Sequence, residues 1–315
     1  MVSAAPPSRN SDFDSTPVVG LARCDMLAAA RSATLTERNR SHLGGAIQVN
    51  QNPTQLATAG EAYEPLTGRW SRMVAPRFLD WLDVGGNGRW LDVGCGTGAL
   101  IQAVLDAEQP REVVGIDPSS AYIAYARRQI EDPRVRYEVG DARSLPVASN
   151  QYDAVVSGLV INVLPAAGQL GAVREMLRAA RRGGTVGAYV WDYAGGFAPR
   201  ARFWEAAVAL DPAAAEHDER TRYPICDPVQ LERLFRSAGM NAVETGAIEI
   251  EAEYENFEDY WTPFLAGYGP ASRYLLALPD AAQDTLRERV RQMLAPQAES
   301  PFHLPIRAWS VRGVK

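Results

Sequence analysis

The stretch RWLDVGCGTGAL, residues 89–100, decides which fold this sequence can adopt. It starts as an apolar, strand-like run that contains Asp92, continues through alternating glycines, and leads into a run with helical spacing at 98–107. Where a strand passes through glycines into a helix, backbone N–H groups point outward and a ligand can approach the chain closely. The stretch therefore predicts a strand, a turn and a helix N-terminus that together bind a ligand.

The chain on both sides of this stretch alternates between strand-like and helix-like segments. The predicted strands lie at 89–93, 112–117, 135–141, 152–158 and 185–192, and the predicted helices at 70–84, 98–107, 119–130 and 166–182. Short, valine-rich strands are typical of a parallel sheet that is buried on both faces. The order predicts an α/β fold with a doubly wound parallel sheet.

Beyond residue 192 this regular alternation ends. Helices are predicted at 202–210, at 229–239 and within 256–297, and two further strands at 241–254 and 303–315. We expect the late strands to join one end of the sheet and the segments at about 195–300 to form a helical lid. Residues 1–55 are rich in Ser, Ala, Pro, Asn and Gln without a sustained period, which predicts a flexible extension before one domain at 56–315.

The composition argues against several partners. The 315 residues carry a net charge of −6 and no basic tract, which disfavours nucleic acid held through its phosphates. The three cysteines lack C-x-x-C spacing, as expected in a reducing compartment, and the histidines show no metal-ligand spacing. No apolar run reaches roughly 18 residues and no secretory signal is visible, so we expect no membrane span and a cytoplasmic location. The oligomeric state stays open.

Aspartates at the ends of the predicted strands bear on the nature of the ligand. Asp92 precedes the first glycine and faces the place where a cationic group would lie. Asp117 can accept hydrogen bonds from both hydroxyls of a ribose, and Asp141 can accept one from an adenine amine. The turn also satisfies the dinucleotide pattern G-x-G-x-x-A, so an NAD(P)-dependent oxidoreductase is an alternative, but Asp92 would repel a pyrophosphate. The set favours a ligand with a cationic end, a ribose and an adenine.

Four motifs follow one another in the order of the predicted strands. They are LDVGCGTG (91–98), GIDPS (115–119), GDARSLP (140–146) and YDAVVSGLVINVL (152–164). In this order they resemble the motifs of class I S-adenosylmethionine-dependent methyltransferases, and most closely the small-molecule branch that includes the ubiquinone/menaquinone-type enzymes. The resemblance covers about residues 60–195. It implies a seven-stranded, mostly parallel Rossmann-like sheet with one antiparallel strand, and S-adenosyl-L-methionine as cofactor.

The resemblance also implies a role for each matching residue in binding the cofactor. The methionine part would lie among Asp92, Gly94, Cys95, Gly96 and Gly98. The ribose would be held by Asp117 with Pro118 and Ser119 nearby, the adenine would meet Asp141 and Ala142, and the floor would be lined by Ser157, Gly158 and Leu159. The segment before the first strand resembles a helix that closes over the cofactor, with Tyr63 and Arg72 as its candidates.

The sequence indicates less clearly which residues would bind the methyl acceptor. Methyl transfer needs alignment and the exclusion of water more than it needs a general base, so the catalytic set can be small. Asp192 and Tyr193 follow the fifth strand and are candidates for contact with the acceptor, although capping of the next turn explains them equally well. The many aromatic residues after 192 favour a small, apolar or aromatic acceptor. A catalytically silent binding module is a second alternative, because methyl transfer leaves no obligatory catalytic motif.

Two reactive side chains have simpler interpretations. Cys95 is expected to pack against the ligand rather than to act as a nucleophile, because no histidine is placed in the sequence to activate it. His217 lies among Glu216, Asp218, Glu219 and Arg220, which predicts a solvated histidine on a charged surface.

Overall fold

Seven strands form one sheet in the computed structural model, which describes residues 64–294 and 300–315. They are β1 (Arg89–Val93), β2 (Glu112–Asp117), β3 (Val135–Val139), β4 (Tyr152–Gly158), β5 (Ala180–Trp191), β6 (Asn241–Tyr254) and β7 (Phe302–Val314). Their order is β3-β2-β1-β4-β5-β7-β6. β7 runs antiparallel to β5 and β6, and the other neighbouring pairs are parallel. The predicted sheet is confirmed, with the late strands at one end.

Helices connect the strands and cover the sheet. They are α1 (Arg69–Leu82), α2 (Ala99–Ala107), α3 (Ser120–Gln129), α4 (Ala166–Ala179), α5 (Ala198–Leu210), α6 (Glu219–Arg222), α7 (Pro228–Ala238), α8 (Phe257–Trp261), α9 (Gly269–Ala277) and α10 (Asp280–Leu294). A π-turn at Glu64–Gly68 precedes α1, and 3₁₀ turns lie at Ile161–Val163, Pro212–Glu216 and Thr262–Ala266. None of the helices within the described ranges is long and apolar enough to cross a membrane. The predicted extension over residues 1–55 lies outside the described residues.

The central strands are buried on both faces, as their composition predicts. Successive side chains of a strand point to opposite faces of its sheet. Trp90 of β1 therefore packs into the cluster that contains Phe78 and Ile101, whereas Leu91 packs into the cluster that contains Val173. The chain leaves β1 toward β2 on one side and returns to β4 on the other. Ligands of open α/β sheets bind at such a reversal, beyond the carboxyl ends of the strands.

Strands β6 and β7 extend well past the carboxyl end of β5. β5 ends at the pair Trp191–Ala308, whereas β6 and β7 continue to the pair Tyr254–Phe302. The difference is roughly 20 Å of additional strand. α5 packs on β7 and α8 packs on β6 along this part of the sheet. These elements form a wall that rises above the carboxyl edge.

Two local expectations are wrong. The helix predicted at 166–182 ends at Ala179, and β5 already begins at Ala180, which pairs with Tyr152. Arg181 lies in β5 and does not end a helix, and its guanidinium pairs with Asp153 of β4 at 2.5 Å. β3 is not buried on both faces either: it is an edge strand, and Val139 is 55% exposed.

Close packing of α1 on β5 gives a test of this architecture. An added Cβ at Gly187 would lie 2.5 Å from Cδ1 of Leu82 and 3.1 Å from Cζ of Phe78. We therefore expect Gly187→Ala to lower the free energy of unfolding by about 1–3 kcal/mol in urea titrations. Gly171→Ala is the matched control, because an added Cβ at this exposed position of α4 meets nothing within 4 Å. That variant should be neutral or gain up to about 1 kcal/mol, and equal losses in both variants would contradict the packing described here.

Candidate functional site

The glycine turn after β1 combines tight packing with one open position. The N–H groups of Gly94 and Cys95 both donate to the carbonyl of Ile116, at 2.7 and 3.0 Å, which joins the turn to β2. A Cβ added at Gly94 would collide with Val160. At Gly96, which has a φ of +52°, an added Cβ would meet nothing within 4 Å. The backbone at Gly96 therefore has the conformation of a glycine turn and free space beside it, as a ligand cradle requires.

Asp117, at the end of β2, fixes the shape of this turn. Its carboxylate is 7% exposed and accepts hydrogen bonds from the N–H of Gly96 at 3.0 Å and the N–H of Ser119 at 2.8 Å. Burial raises the pKa of Asp117, and the two N–H groups act in the opposite direction. Ser119 in turn caps α3 by accepting a hydrogen bond from the N–H of Tyr122, while Pro118 is exposed between them. Each carboxylate oxygen keeps a lone pair for a further donor.

Asp92 is the most unusual acid in the described part of the chain. It is 2% exposed, and its Oδ2 has no hydrogen-bond partner among the described residues. Burial, followed by the charge of Asp117, raises the pKa of Asp92 to about 8. A buried carboxyl group without a partner is unfavourable for folding unless a ligand or a proton compensates it. Strongly perturbed acids of this kind concentrate at functional sites.

Cys95 packs into the sheet rather than into solvent. Its side chain is buried, and its Sγ would lie 3.0 Å from a Cβ added at Gly115. Burial and the nearby charges of Asp92 and Asp117 raise the pKa of the Cys95 thiol well above its ordinary value. The thiol therefore stays protonated, which argues against a nucleophile, while packing of Cys95 against the ligand stays a prediction.

Residues at the end of β4 hold neighbouring strands together. Ser157 is buried and donates from its hydroxyl to the carbonyl of Val93, at 2.7 Å. The N–H of Leu159, whose φ is +62°, donates to the carbonyl of Tyr189 at 2.8 Å. Gly158 lies against the ring of Tyr189, where an added Cβ would approach the phenol oxygen to 2.6 Å. The predicted floor residues therefore lie at the same sheet edge as the glycine turn, with their polar groups used to shape it.

Asp141 has a different environment from the other two acids. Its side chain is 42% exposed and forms an ion pair with Arg143, whose Nη2 lies 2.5 Å from Oδ2. The hydrogen bond from Arg143 lowers the pKa of Asp141. The neighbouring Ala142 is buried. A role for Asp141 toward an adenine remains a prediction, since its oxygens are already paired with a guanidinium.

Of the two candidates in the segment before β1, only Arg72 lies among the described residues. Tyr63 lies outside the described residues. Arg72 is exposed on α1 and pairs with Glu64 at 3.0 Å. A different contact joins the late helices to the site: the hydroxyl groups of Tyr122, on α3, and Tyr268, which precedes α9, are hydrogen-bonded to each other. The charge of Asp117 also raises the pKa of Tyr122, so the segment that carries Tyr268 contacts the helix that begins next to Asp117.

Asp192 and Tyr193 lie where β5 ends. Asp192 is buried, and its Oδ1 accepts from the N–H groups of Ala194 and Gly195, at 3.1 and 3.3 Å. Its Oδ2 faces Nη1 of Arg307 at 3.4 Å, so the carboxylate performs the capping role that the sequence leaves open. Tyr193 is half-buried with its ring against Phe197, and burial raises the pKa of its hydroxyl well above the ordinary value.

The sequence pattern misses a buried ion pair near these residues. The stretch around His217 is not a solvated surface throughout, because Asp218 and Glu219 are 3% and 1% exposed. Glu219 accepts a hydrogen bond from the indole N–H of Trp204 and lies 3.9 Å from Nε of Arg200, which is itself 6% exposed. One signal in the sequence could have indicated the buried ion pair. Helical spacing in α5 places Arg200 on the same buried face as Phe203 and Trp204.

Comparison with known proteins identifies methyltransferases as relatives of this chain. Residues 91–184 match a family described as a methyltransferase domain. The demethylmenaquinone methyltransferase of Roseiflexus castenholzii is 30% identical over 169 residues, which cover 50% of this chain and 69% of that protein. The corresponding protein of Roseiflexus sp. is 29% identical over 170 residues, with the same coverage.

Solved structures show the same fold at lower identity. Phosphoethanolamine N-methyltransferase 2 of Haemonchus contortus, solved with S-adenosyl-L-methionine, is 18% identical with a TM-score of 0.51, over 85% of this chain and 58% of that one. A Bacillus halodurans protein with this fold has a TM-score of 0.51 at 16% identity, over 76% and 98% of the two chains. The chain belongs to the class I S-adenosylmethionine-dependent methyltransferases. This membership decides against the oxidoreductase alternative.

Asp92 makes the stability of the free protein depend on pH. The folded carboxyl group keeps its proton up to a pKa of about 8, whereas the unfolded group releases it near its ordinary value, about 4. The folded state therefore binds more protons between these values, and its stability falls as the pH rises through this window. We expect wild type to lose stability relative to Asp92→Asn from pH 5 to pH 8, with a slope of the order of 1 kcal/mol per pH unit. Urea titrations of both proteins test this, and a pH-independent difference would contradict it.

Proposed function

We propose that this methyltransferase binds S-adenosylmethionine at the glycine turn and transfers its methyl group to a small, apolar or aromatic acceptor. The Asp92 carboxyl, buried with an unpartnered oxygen just before the turn, carries the cofactor proposal. A ligand with ammonium and sulfonium charges compensates the ionised form of such an acid, whereas a pyrophosphate offers it no opposite charge. When bound, the cofactor supplies an electrophilic methyl group on positively charged sulfur.

The chain's own residues suit the rest of that cofactor. Asp117 holds its carboxylate in one orientation through Gly96 and Ser119, and the remaining lone pairs can accept hydrogen bonds from the two ribose hydroxyls. The open space at Gly96 lets the ligand approach the backbone. A site that is already oriented before binding loses little conformational entropy when the ligand arrives, which favours affinity.

The acceptor side of the proposal rests on the wall above the carboxyl edge. The wall and the segments beside it are rich in aromatic side chains. The ring centroids of stacked Phe203 and Phe264 are 4.8 Å apart, and those of Trp191 and Phe197 are 4.9 Å apart. Two relatives are named for demethylmenaquinone, which supports an apolar acceptor. The contact between Tyr122 and Tyr268 brings this region over the cofactor side, where excluding water favours in-line transfer.

We assign acceptor positioning to Tyr193 rather than to Asp192. Both oxygens of Asp192 already hold the turn and Arg307. Tyr193 keeps its proton because its pKa is raised by burial, so it can donate a hydrogen bond but cannot serve as a base at neutral pH. Its place directly after β5 matches the side on which an acceptor would enter.

The role of Tyr193 predicts a selective kinetic effect. We expect Tyr193→Phe to lower kcat/KM about tenfold, the loss of one hydrogen bond in the transition state, while affinity for S-adenosylhomocysteine stays unchanged. Tyr125→Phe, which removes the same hydroxyl from α3, is the control and should keep full activity. Equal activity of Tyr193→Phe and wild type would remove Tyr193 from the site.

Calorimetric titration tests the cofactor proposal. We expect micromolar binding of S-adenosylhomocysteine, no binding of NAD⁺, and at least a tenfold loss of affinity in Asp117→Asn, because hydrogen bonds to a charged group contribute about 1.5–3 kcal/mol. Asp106→Asn is the control, since this exposed aspartate contacts only Gln102 of its own helix among the described residues. Unchanged affinity in Asp117→Asn would contradict the ribose assignment.

Activity separates the enzyme from a silent binding module. Purified protein is incubated with S-adenosylmethionine carrying a labelled methyl group and a panel of apolar phenols and quinols. We expect label in an extractable product. Cofactor binding without transfer to any of these acceptors would instead support the silent module.

A further inference from the structure

A cavity in the aromatic wall contains two arginines with unused donors. Its lining includes the arginines Arg69 and Arg200 and the aromatic residues Trp70, Tyr254, Tyr260 and Phe264. Nη1 of Arg200 and Nε of Arg69 are both buried without a hydrogen-bond partner among the described residues. Buried guanidinium groups normally have their donors satisfied, because each unpaired donor is unfavourable. Two such donors on one cavity point to a missing acceptor of hydrogen bonds.

Arg200 is the more deeply placed of the two. Its side chain is 7% exposed and makes no hydrogen bond to another side chain in the described ranges. Glu219 is its neighbouring carboxylate, but the 3.9 Å separation exceeds hydrogen-bond distance, and Glu219 is engaged by Trp204. Burial also raises the pKa of Glu219, and the charge of Arg200 acts in the opposite direction. The guanidinium of Arg200 lies over the ring of Phe264 at 5.0 Å, which fixes its plane.

Arg69 approaches the cavity from the start of α1. Nη1 of its guanidinium lies 3.0 Å from Oδ1 of Asp259. Its Cζ lies 4.0 Å from the ring centroid of Trp70 and 4.8 Å from that of Tyr254. The two rings also contact each other, with centroids 5.5 Å apart, and together they hold the guanidinium and its Nε in place. Tyr260, whose hydroxyl donates to the carbonyl of Pro199 at 2.7 Å, closes the opposite side.

The first turn of α1, which lines the cavity, is hydrogen-bonded to β5. Ser71, two residues after Arg69, shares a buried hydrogen bond of 3.1 Å with the hydroxyl of Tyr189. The ring of Tyr189 packs against Gly158, and the charge of Asp92 contributes to raising the pKa of the Tyr189 hydroxyl. Phe197 and Arg200 follow the carboxyl end of β5 by six and nine residues. The segment after β5 therefore lines the cavity, and the proposed function brings the acceptor to this same edge of the sheet.

We infer that Arg200 and Arg69 bind an anionic oxygen of the methyl acceptor, so that the substrate is an amphiphile with an apolar or aromatic body and a carboxylate or phosphate group. The inference rests on the proposed function and narrows its acceptor. The cavity has room for about one water-sized group, so it admits one oxygen of the anion and not the body of the acceptor. Aromatic walls exclude water from the contact, which strengthens charge-assisted hydrogen bonds from a guanidinium.

The test compares anionic and neutral probes of the same shape. Wild-type protein, with and without saturating S-adenosylhomocysteine, is titrated calorimetrically with phenylacetate, phenyl phosphate and phenylacetamide at constant ionic strength. We expect at least one anion to bind at least tenfold more tightly than phenylacetamide, and the stronger of the two identifies the carboxylate or phosphate source. Equal binding of the amide, or no binding of either anion, overturns the inference.

Matched variants assign the binding to Arg200. Removing Arg200 alone would leave Glu219 buried without a counterion, so we pair Arg200→Met with Glu219→Gln. This double variant should lose at least tenfold in affinity for the anion, whereas Glu219→Gln alone should bind it at least as tightly as wild type. Arg289→Met, at an exposed position of α10, should not change the affinity. Equal anion affinity in the double variant and in Glu219→Gln would overturn the assignment.

Binding of S-adenosylhomocysteine keeps the two proposals separate. All variants should retain wild-type affinity for it, which also shows that they are folded. Loss of this binding in wild type would refute the proposed function, whereas normal binding with no preference for anions would refute only the anion site.

Discussion

The site depends on the buried carboxyl group of Asp92, whose Oδ2 has no hydrogen-bond partner in the part of the chain that the structure describes. Asp92 lies near the end of a central strand, 2% exposed, and its pKa of about 8 reflects first its burial and then the charge of Asp117. Hydrophobic strands on both sides force this burial, since β1 pairs with β2 and with β4. The protein therefore carries an unfavourable group whose compensation must come from a proton or a cationic ligand. The surrounding turn is shaped to admit the ligand.

The rest of the architecture supports this arrangement from both sides. Asp117 ties the glycine turn to the start of α3, and Ser157 ties the end of β4 to β1. The overhang of β6 and β7 carries the late helices above the same edge, where Tyr268 reaches Tyr122. In the proposed function, the parallel half of the sheet therefore binds the cofactor, and the antiparallel end carries the wall that faces the acceptor.

The sequence predicts the parts of the site that local patterns determine. The glycine turn, Asp92 and Asp117 follow from residues adjacent in the chain, and the strands around them from valine-rich runs. The ion pair of Arg200 with Glu219 and the placement of Arg69 depend on contacts between distant segments, and a charge-rich stretch such as 216–220 looks like a surface. Asp141 shows the same limit, because its pairing with Arg143 competes with the role expected from its motif. The edge position of β3 could not be seen in its composition.

The central claim is that the Asp92 carboxyl exchanges its proton for a cationic cofactor. With a pKa of about 8 the free carboxyl is mostly protonated at pH 7, and a bound cation would ionise it. The most direct measurement is the enthalpy of S-adenosylmethionine binding at pH 7, without an acceptor, in buffers of different ionisation enthalpy, which counts the protons released. We predict release of close to one proton by wild type and of none by Asp92→Asn. Binding without proton release, or equal release by both proteins, would contradict the claim.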